Sequence, residues 1–496
     1  MSQIKITNLS FAYDGSYDFV FENVSFQIDT DWKLGFTGRN GRGKTTFLKL
    51  LMGAYTYQGT ISASVHFDYF PFPVTSLNRT GLEIVSEIYP PYEYWAICKE
   101  LSLLDLDADV LDRPFETLSQ GERTKVLLAI LFLKDNNFLL IDEPTNHLDL
   151  EGRTCVANYL KRKKGYILVS HDRLFLDHCI DHVLSINKTH IDIQKGTFSS
   201  WMHNKAYQDQ FELAENQKLL KEIDRLGEAA RRTAGWSALT EKSKFGSGVP
   251  DRGFVGHKAA KMMKRAKAIH QRRENAVEEK KKLLKDIERA DALEIKHEAH
   301  PADVLLRVEG LTAAYDEHVV LEDLNFTLEQ GDRIAIVGGN GTGKSTLLKA
   351  VLNAIRSTPT EACLTNGSIR PSRNLIVSYV SQDTSGLSGS LDDYAKEQGV
   401  DVVLLKSMLS KLDLGPIQFE KDLSRYSEGQ KKKVLMASSI CERAHVYIWD
   451  EPLNYVDILS RIQIEDMLLN YQPTMLFVEH DQAFLENIAT KRIVLG

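Results

Sequence analysis

Two octapeptides of this chain have the composition to cradle a phosphate chain: Gly38-Arg39-Asn40-Gly41-Arg42-Gly43-Lys44-Thr45 and Gly338-Gly339-Asn340-Gly341-Thr342-Gly343-Lys344-Ser345. Both fit G-x-x-x-x-G-K-[ST]. In that pattern the glycines let backbone N–H groups close around phosphate oxygens, the Lys reaches the outer phosphates, and the hydroxyl can ligate Mg²⁺. A second pattern follows each loop. The apolar runs Phe138-Leu139-Leu140-Ile141 and Val446-Tyr447-Ile448-Trp449 end in the acidic pairs Asp142-Glu143 and Asp450-Glu451. A strand-end carboxylate pair is often only structural, but behind a phosphate loop it has a task. Asp142 and Asp450 would hold Mg²⁺, while Glu143 and Glu451 would orient and deprotonate the water that attacks ATP.

The elements that must position these groups occur twice. Tyr13 answers to Tyr315, Lys44 to Lys344, Ser119-Gln120-Gly121 to Ser427-Glu428-Gly429, Asp142-Glu143 to Asp450-Glu451, and His171 to His480, at offsets of 300 to 309 residues. Such internal repetition means two copies of one domain. In each copy short apolar runs alternate with helical patterns, as in 34–37, the phosphate loop, and then 45–52. This order predicts an α/β domain with a largely parallel core sheet. The expected division is 1–200 and 301–496 for the two copies, with 201–300 between them.

At 496 residues the chain exceeds one ordinary core, and its 43% apolar and 26% charged content is that of a globular protein. No apolar run approaches the roughly 18 residues of a membrane span, and the N-terminus begins in a strand pattern, so a cytoplasmic protein without a membrane partner is expected. Five scattered cysteines show no metal-ligand spacing and read as reduced thiols.

The segment between the copies differs in kind. Helical spacing near 203–234 and 258–290 predicts an antiparallel helical hairpin, with the Gly- and Pro-containing stretch 237–256 as its tip. From Lys218 to Lys285 there are 19 Lys and Arg against 8 Asp and Glu, a net of +11; the whole chain is at −7, so the remainder carries −18. Charge runs are often only solvated helix faces. Segregating positive charge onto one element of an acidic protein instead favours a nucleic-acid backbone as partner.

Leu118-Ser119-Gln120-Gly121-Glu122 and Tyr426-Ser427-Glu428-Gly429-Gln430, with the histidines His171 and His480, resemble the signature motif and switch histidine of the ATP-binding cassette superfamily. The resemblance implies an α/β fold of two ATP-binding cassette domains, mixed sheets with helices, joined by the long helical hairpin. It also implies a monomer whose cassettes pair head to tail, each ATP lying between the phosphate loop of one and the signature of the other. One site would then join Gly38, Asn40, Gly41, Gly43, Lys44, Thr45, Thr46, Asp142, Glu143 and His171 to Ser427 and Gly429. The other would join Gly338, Asn340, Gly341, Gly343, Lys344, Ser345, Thr346, Asp450, Glu451 and His480 to Ser119 and Gly121. Thr45 and Ser345 would share the Mg²⁺ with Asp142 and Asp450. Tyr13 and Tyr315 fall where the family stacks an aromatic on adenine, although Tyr in a strand also serves packing.

The copies depart from each other in two places. The family's Mg²⁺-linked Gln is Gln382 in the second copy, but Phe72 takes the corresponding position in the first, and phenylalanine cannot accept a bond from metal-bound water. After the acidic pair the first copy reads Thr145-Asn146-His147-Leu148-Asp149, whereas the second reads Leu453-Asn454-Tyr455-Val456-Asp457. Unequal sites are expected, the slower one built on Lys44.

Paired cassettes fused through a basic hairpin resemble the ABC-F family. Asp31-Trp32-Lys33-Leu34-Gly35-Phe36 and Ile448-Trp449-Asp450-Glu451-Pro452-Leu453-Asn454 are similar to its Lsa-type antibiotic-resistance members. That resemblance implies binding to the bacterial 70S ribosome at the vacant exit-tRNA site, beside peptidyl-site tRNA, with the hairpin tip approaching the 23S rRNA of the peptidyl-transferase centre. Lincosamides, pleuromutilins and streptogramin A compounds would be displaced there. In the tip, Phe245 or Phe254 could wedge against or stack on an rRNA base, with Val249 as an apolar neighbour, or all three could simply pack the hairpin end, and Lys242, Lys244, Arg252 and Lys258 would contact phosphates. A general translation factor of the same family and the ATPase subunit of a transporter are the alternatives.

Overall fold

The computed structural model of the chain describes residues 2–14, 19–74, 76–90, 92–134, 136–146, 148–186, 191–242, 264, 268, 271–272, 275, 291–315, 318–357 and 363–495. Two compact units emerge: Met1–Ser199 with Ala290–Gly496, and Ser200–Arg289. In the first unit the first copy runs β1 (Gln3–Phe11), β2 (Phe21–Asp29), β3 (Lys33–Thr37), α1 (Lys44–Leu51), β4 (Gln58–Ser62), β5 (His66–Phe70), α2 (Gly81–Ile88), α3 (Tyr94–Ser102), α4 (Gln120–Leu131), β6 (Asn137–Asp142), α5 (Leu150–Lys161), β7 (Tyr166–Val169), α6 (Arg173–Cys179), β8 (His182–Ile186) and β9 (Ile191–Lys195). Helix α7 (Phe198–Lys242) leads into the second unit. The second copy follows as β10 (Val304–Tyr315), β11 (His318–Glu329), β12 (Arg333–Gly338), α8 (Lys344–Arg356), β13 (Cys363–Pro371), β14 (Val377–Val380), α9 (Leu391–Glu397), α10 (Val402–Lys411), α11 (Pro416–Phe419), α12 (Glu428–Cys441), β15 (Val446–Asp450), α13 (Ile458–Tyr471), β16 (Met475–Val478), α14 (Gln482–Ile488) and β17 (Lys491–Leu495).

Each copy has a core sheet and a smaller antiparallel sheet. The core sheets are ordered β5-β6-β7-β3-β8-β9 and β14-β15-β16-β12-β17. All neighbours are parallel except β8 and β9. Parallel strands covered on both faces should read as unbroken apolar runs, and β7 and β16 are buried at every residue. The smaller sheets, β2-β1-β4 and β11-β10-β13, pack apolar faces against α1 and α8, with Phe47 and Leu347 fully buried between the layers.

This architecture delivers both phosphate loops to the carboxyl ends of core strands, β3 into α1 and β12 into α8. Gly43 and Gly343 cap the two helices at φ 90° and 88°. A side chain at either would face left-handed strain, and its Cβ would also meet Val20 at 2.5 Å or Val320 at 2.6 Å. Strand register makes the second-copy Gln equivalent to a Phe. Phe70 pairs with Ile141 and Val380 with Trp449, so Phe72 and Gln382 each lie two residues beyond matching positions.

Helix α7 is 45 residues long, about 67 Å at 1.5 Å per residue. It passes through Ser237, where the sequence suggested the tip would begin, and continues to Lys242. Residues 237–242 contain no Gly or Pro, and the first helix-breaking Gly of the stretch is Gly246. Of the segment expected to form the second arm only isolated residues are described; Lys244, Phe245, Val249, Arg252, Phe254 and Lys258 lie outside the described residues, as does the side chain of Lys242. The segment assigned from sequence to the end of the linker belongs instead to the first unit. Leu293 and Ile295 are buried in the helical core of the second copy, and Lys296 and Glu298 donate backbone bonds to Ile440 O (3.3 Å) and Ala444 O (2.9 Å).

Among the described residues no helix is long and apolar enough to cross a membrane. Cys98, Cys155, Cys179 and Cys441 are free thiols, and the side chain of Cys363 lies outside the description.

Candidate nucleotide sites

In the first phosphate loop the Lys44 ammonium donates to Gly38 O (2.6 Å), Arg39 O (3.2 Å) and Asn40 Oδ1 (3.4 Å). Lys344 makes the parallel bonds to Gly338 O (2.9 Å) and Gly339 O (2.6 Å). Burial depresses both ammonium pKa values. The opposing charges come partly from the other cassette: Asp457 acts on Lys44, and Asp149 on Lys344. Tyr13 stands beside the first loop, half exposed, with its hydroxyl 2.6 Å from Thr46 Oγ1 and its ring edge-on to Phe11 and Tyr55. The side chain of Tyr315 is outside the described set.

The acidic pairs lie where β6 and β15 end. Glu143 and Glu451 hold left-handed backbone angles of φ 52° and 47°, a costly conformation for a non-glycine residue and one that clusters at functional sites. Thr45 Oγ1 and Tyr69 OH both donate to Asp142 Oδ2, at 3.0 and 2.8 Å. Asp450 is raised by burial, against a hydrogen bond from Ser345, and its buried Oδ1 has no hydrogen-bond partner. An orphaned carboxylate oxygen beside a Ser hydroxyl fits Mg²⁺, which Ser345, Asp450 and Gln382 would hold, with Thr45 and Asp142 as the first-copy pair. The chemistry these residues would gain from Mg²⁺ is neutralisation of the charge that develops on the transferred phosphoryl group.

The two glutamates differ sharply. Glu451 accepts from Gln382 Nε2 (2.8 Å) and Asn454 Nδ2 (2.6 Å), with His480 Nε2 at 3.4 Å. Burial would raise its pKa, but His480, Lys432 and Lys344 outweigh that and hold the carboxyl below its usual range. Glu143 has His171 Nε2 at 3.3 Å, and Phe72 replaces the amide donor. Burial and neighbouring Asp142 push it up to about 8, against Arg461 and Lys44. Lys432 went unrecognised in the sequence, where it looks like one of three solvated lysines on the signature helix. It is buried, donating to Ser381 O (2.9 Å) and Glu451 O (3.1 Å); the signal was its first-copy counterpart, Thr124.

A protonated base cannot accept the water's proton. In a Glu451→Gln background the residual ATP hydrolysis of the first site should therefore climb roughly fivefold from pH 7 to pH 8 as Glu143 ionises. A flat profile in steady-state assays over that interval rejects the assignment of Glu143 as base.

Ser119 and Ser427 are the N-caps of α4 and α12, each in a reciprocal capping box with the residue three further on, Glu122 and Gln430. Their helices start at the cassette boundary. Asn40 Nδ2 of the first loop donates across it to Tyr455 O at 3.0 Å, and a Cβ on Gly429 would stand 3.1 Å from that same nitrogen. Arg39 and Arg42 of the first loop approach Asp413 of the second copy at 3.8 and 3.6 Å. On the other side a cleft of about 390 Å³ brings Gln120, Asn146 and Arg153 of the first copy to face Asn340, Glu451 and His480 of the second. Gln120 adjoins Ser119 and Gly121, so each phosphate loop meets the signature region of the opposite copy.

Two phosphate loops set against opposing helix starts define a twin-cassette ATPase. The ABC transporter family model matches residues 21–146 and 321–454. The ribosome protection protein VmlR of Bacillus subtilis (strain 168) is 29% identical over 510 residues, covering 99% of this chain and 86% of that protein. The ATP-binding protein Uup of Caulobacter vibrioides is 25% identical over 496 residues, covering 96% and 74%. Among solved structures, the archaeal ribosome recycling factor aABCE1, in complex with a ribosomal stalk protein, superposes with a TM-score of 0.63 at 18% identity, covering 98% of this chain and 87% of that one. The chain belongs to the ABC transporter family, as a twin-cassette ATPase of the ABC-F type.

Proposed function

We propose that this ATPase protects bacterial ribosomes from antibiotics of the peptidyl-transferase centre. ATP·Mg²⁺ clamps the cassettes together, the closed protein occupies the exit-tRNA site beside peptidyl-site tRNA, and the basic linker Ser200–Arg289 projects along 23S rRNA to dislodge lincosamide, pleuromutilin or streptogramin A compounds. Hydrolysis then opens the clamp and releases the protein. The observation that supports this reading is that both phosphate loops lie at the cassette boundary, Asn40 donating to Tyr455 O on one side and Asn340 facing Gln120 across a cleft on the other. Nucleotide bound at such a boundary joins the two halves, and its cleavage weakens the joint. The 29% identity to a ribosome protection protein across 99% of the chain supports the ribosome as the object clamped. The concentration of +11 charges between Lys218 and Lys285 supports an RNA surface.

The second reading is a general translation factor of the same family, kept because relatives such as Uup are named only as ATP-binding proteins, with no protective role in the name. Drug susceptibility separates the two. Expressing the chain in a sensitive bacterium should raise the inhibitory concentration of at least one of the three drug classes several-fold, and the Glu143→Gln, Glu451→Gln double variant should cosediment with 70S ribosomes in ATP. Unchanged susceptibility to all three classes, with cosedimentation retained, leaves the general factor; partition to membranes overturns both.

A further inference from the structure

Arg153 in α5 and Arg461 in α13 are 308 residues apart, the same offset as the acidic pairs, and they begin as equivalent residues. Each is buried, at 9% and 6% exposure. Each turns its Nε onto a carbonyl of the loop that precedes its own helix, Arg153 to Leu148 O (3.1 Å) and Arg461 to Val456 O (2.9 Å). Each also pairs through Nη1 with the Asp that caps the helix after the switch histidine, Asp172 at 3.1 Å and Asp481 at 2.9 Å.

There the equivalence ends. The remaining Arg461 donor, Nη2, turns back to Leu453 O of its own cassette at 2.9 Å. Arg153 Nη1 instead crosses the cassette boundary and donates to the backbone carbonyl of His480 at 3.0 Å. The ring of that same histidine has its Nε2 3.4 Å from Glu451. The guanidinium thus ties three things together: the first-copy loop around Leu148, the cap of α6, and the main chain that carries the second site's histidine. Arg153 also lines the cleft that holds Asn340, Glu451 and His480.

We propose that Arg153 is a positioning residue for hydrolysis at the second site. It acts on Glu451 through His480, and only while the cassettes are closed. With the cassettes apart the His480 carbonyl loses this donor, and the imidazole is no longer held in line with Glu451. The hydrogen-bond coupling runs one way, because the nitrogens of Arg461 bond within the second cassette. The first cassette therefore reports its closure to the second site through a hydrogen bond, while Arg461 reaches the first site only as a charge that favours ionised Glu143, with no bond to its histidine. Arg suits this role where Lys does not, since a planar fork can serve a carboxylate and two carbonyls at fixed angles, whereas a single ammonium cannot hold all three.

The inference rests on the assignment of Glu451 and His480 to hydrolysis, and the test separates the two. In a Glu143→Gln background, which isolates the second site, Arg153→Lys should lower kcat about tenfold while leaving the KM for ATP within about twofold, the pattern of an interaction made on the way to the transition state. Asp172→Asn breaks the charge of the same buried pair but keeps an acceptor for Arg153, and should leave kcat within about twofold. Arg153→Met guards against a residual bond from Lys and should match or exceed its loss. If Asp172→Asn lowers kcat as much as Arg153→Lys, the effect belongs to the ion pair and the proposal is overturned. If both Arg153 variants turn over normally while His480→Ala is inactive, the positioning role alone fails. If His480→Ala itself is fully active, the assignment of His480 fails and takes the proposal with it.

Discussion

Glu451→Gln should reduce steady-state ATP hydrolysis by about 100-fold or more, whereas Glu143→Gln should leave it within about threefold. The two residues share a strand end, a left-handed backbone and a histidine partner, so sequence pattern alone would give them equal weight. Their surroundings decide otherwise. Glu451 is aimed by the amides of Gln382 and Asn454 and kept ionised by His480, Lys432 and Lys344, so it is both oriented and able to accept a proton at neutral pH. Glu143 is buried against Asp142 and pushed up to about 8, with Phe72 where an amide donor would be and Thr124 where Lys432 would be. A base that is mostly protonated and held by one partner contributes little to a rate carried by the other site. Phosphate release from the two purified single variants decides the matter; equal losses would rule out unequal sites.

Gly429→Ala should lower ATP turnover about tenfold and raise the ATP concentration needed for half-maximal rate. The added methyl carbon would lie 2.4 Å from Tyr455 O and 3.1 Å from Asn40 Nδ2, within the hydrogen bond that crosses from the first phosphate loop to the second cassette. Backbone cannot yield as a flexible side chain does, so the contact opens or the loop shifts, at a cost of about 1–3 kcal/mol. Opening that side also withdraws the phosphate loop from the Ser427 helix start, and because one cassette contact closes both sites, the loosened clamp lowers turnover at the second site as well. Normal turnover with unchanged ATP dependence in the Gly429→Ala protein would show that the two halves do not meet here during catalysis.

Much of the fold was legible because its signals are local. The loop glycines, the apolar strand ending in two carboxylates, and the Ser that starts each signature helix are short patterns with a direct backbone meaning, and each lies on the element expected of it. The tip of the linker was read from Gly and Pro spacing, which locates where a helix cannot continue but not how far it runs beforehand; hence α7 extends to Lys242. Leu293 and Ile295 sat in a charged stretch assigned to the linker, and only the second cassette's helical core, far away in sequence, accounts for their burial.

The sequence by itself determined that there are two nucleotide cassettes, which residues could do their chemistry, and that the copies diverge at Phe72 and Gln382. Those facts follow from residue type and spacing, which a chain carries before it folds. Tertiary structure alone decided which glutamate is ionised, that Lys432 lies buried beneath Glu451 rather than in solvent, and that Arg153 rather than Arg461 reaches across to the opposite histidine. The reason is physical: the charge and alignment of a buried group depend on its distance to partners hundreds of residues away, and no local pattern encodes that distance.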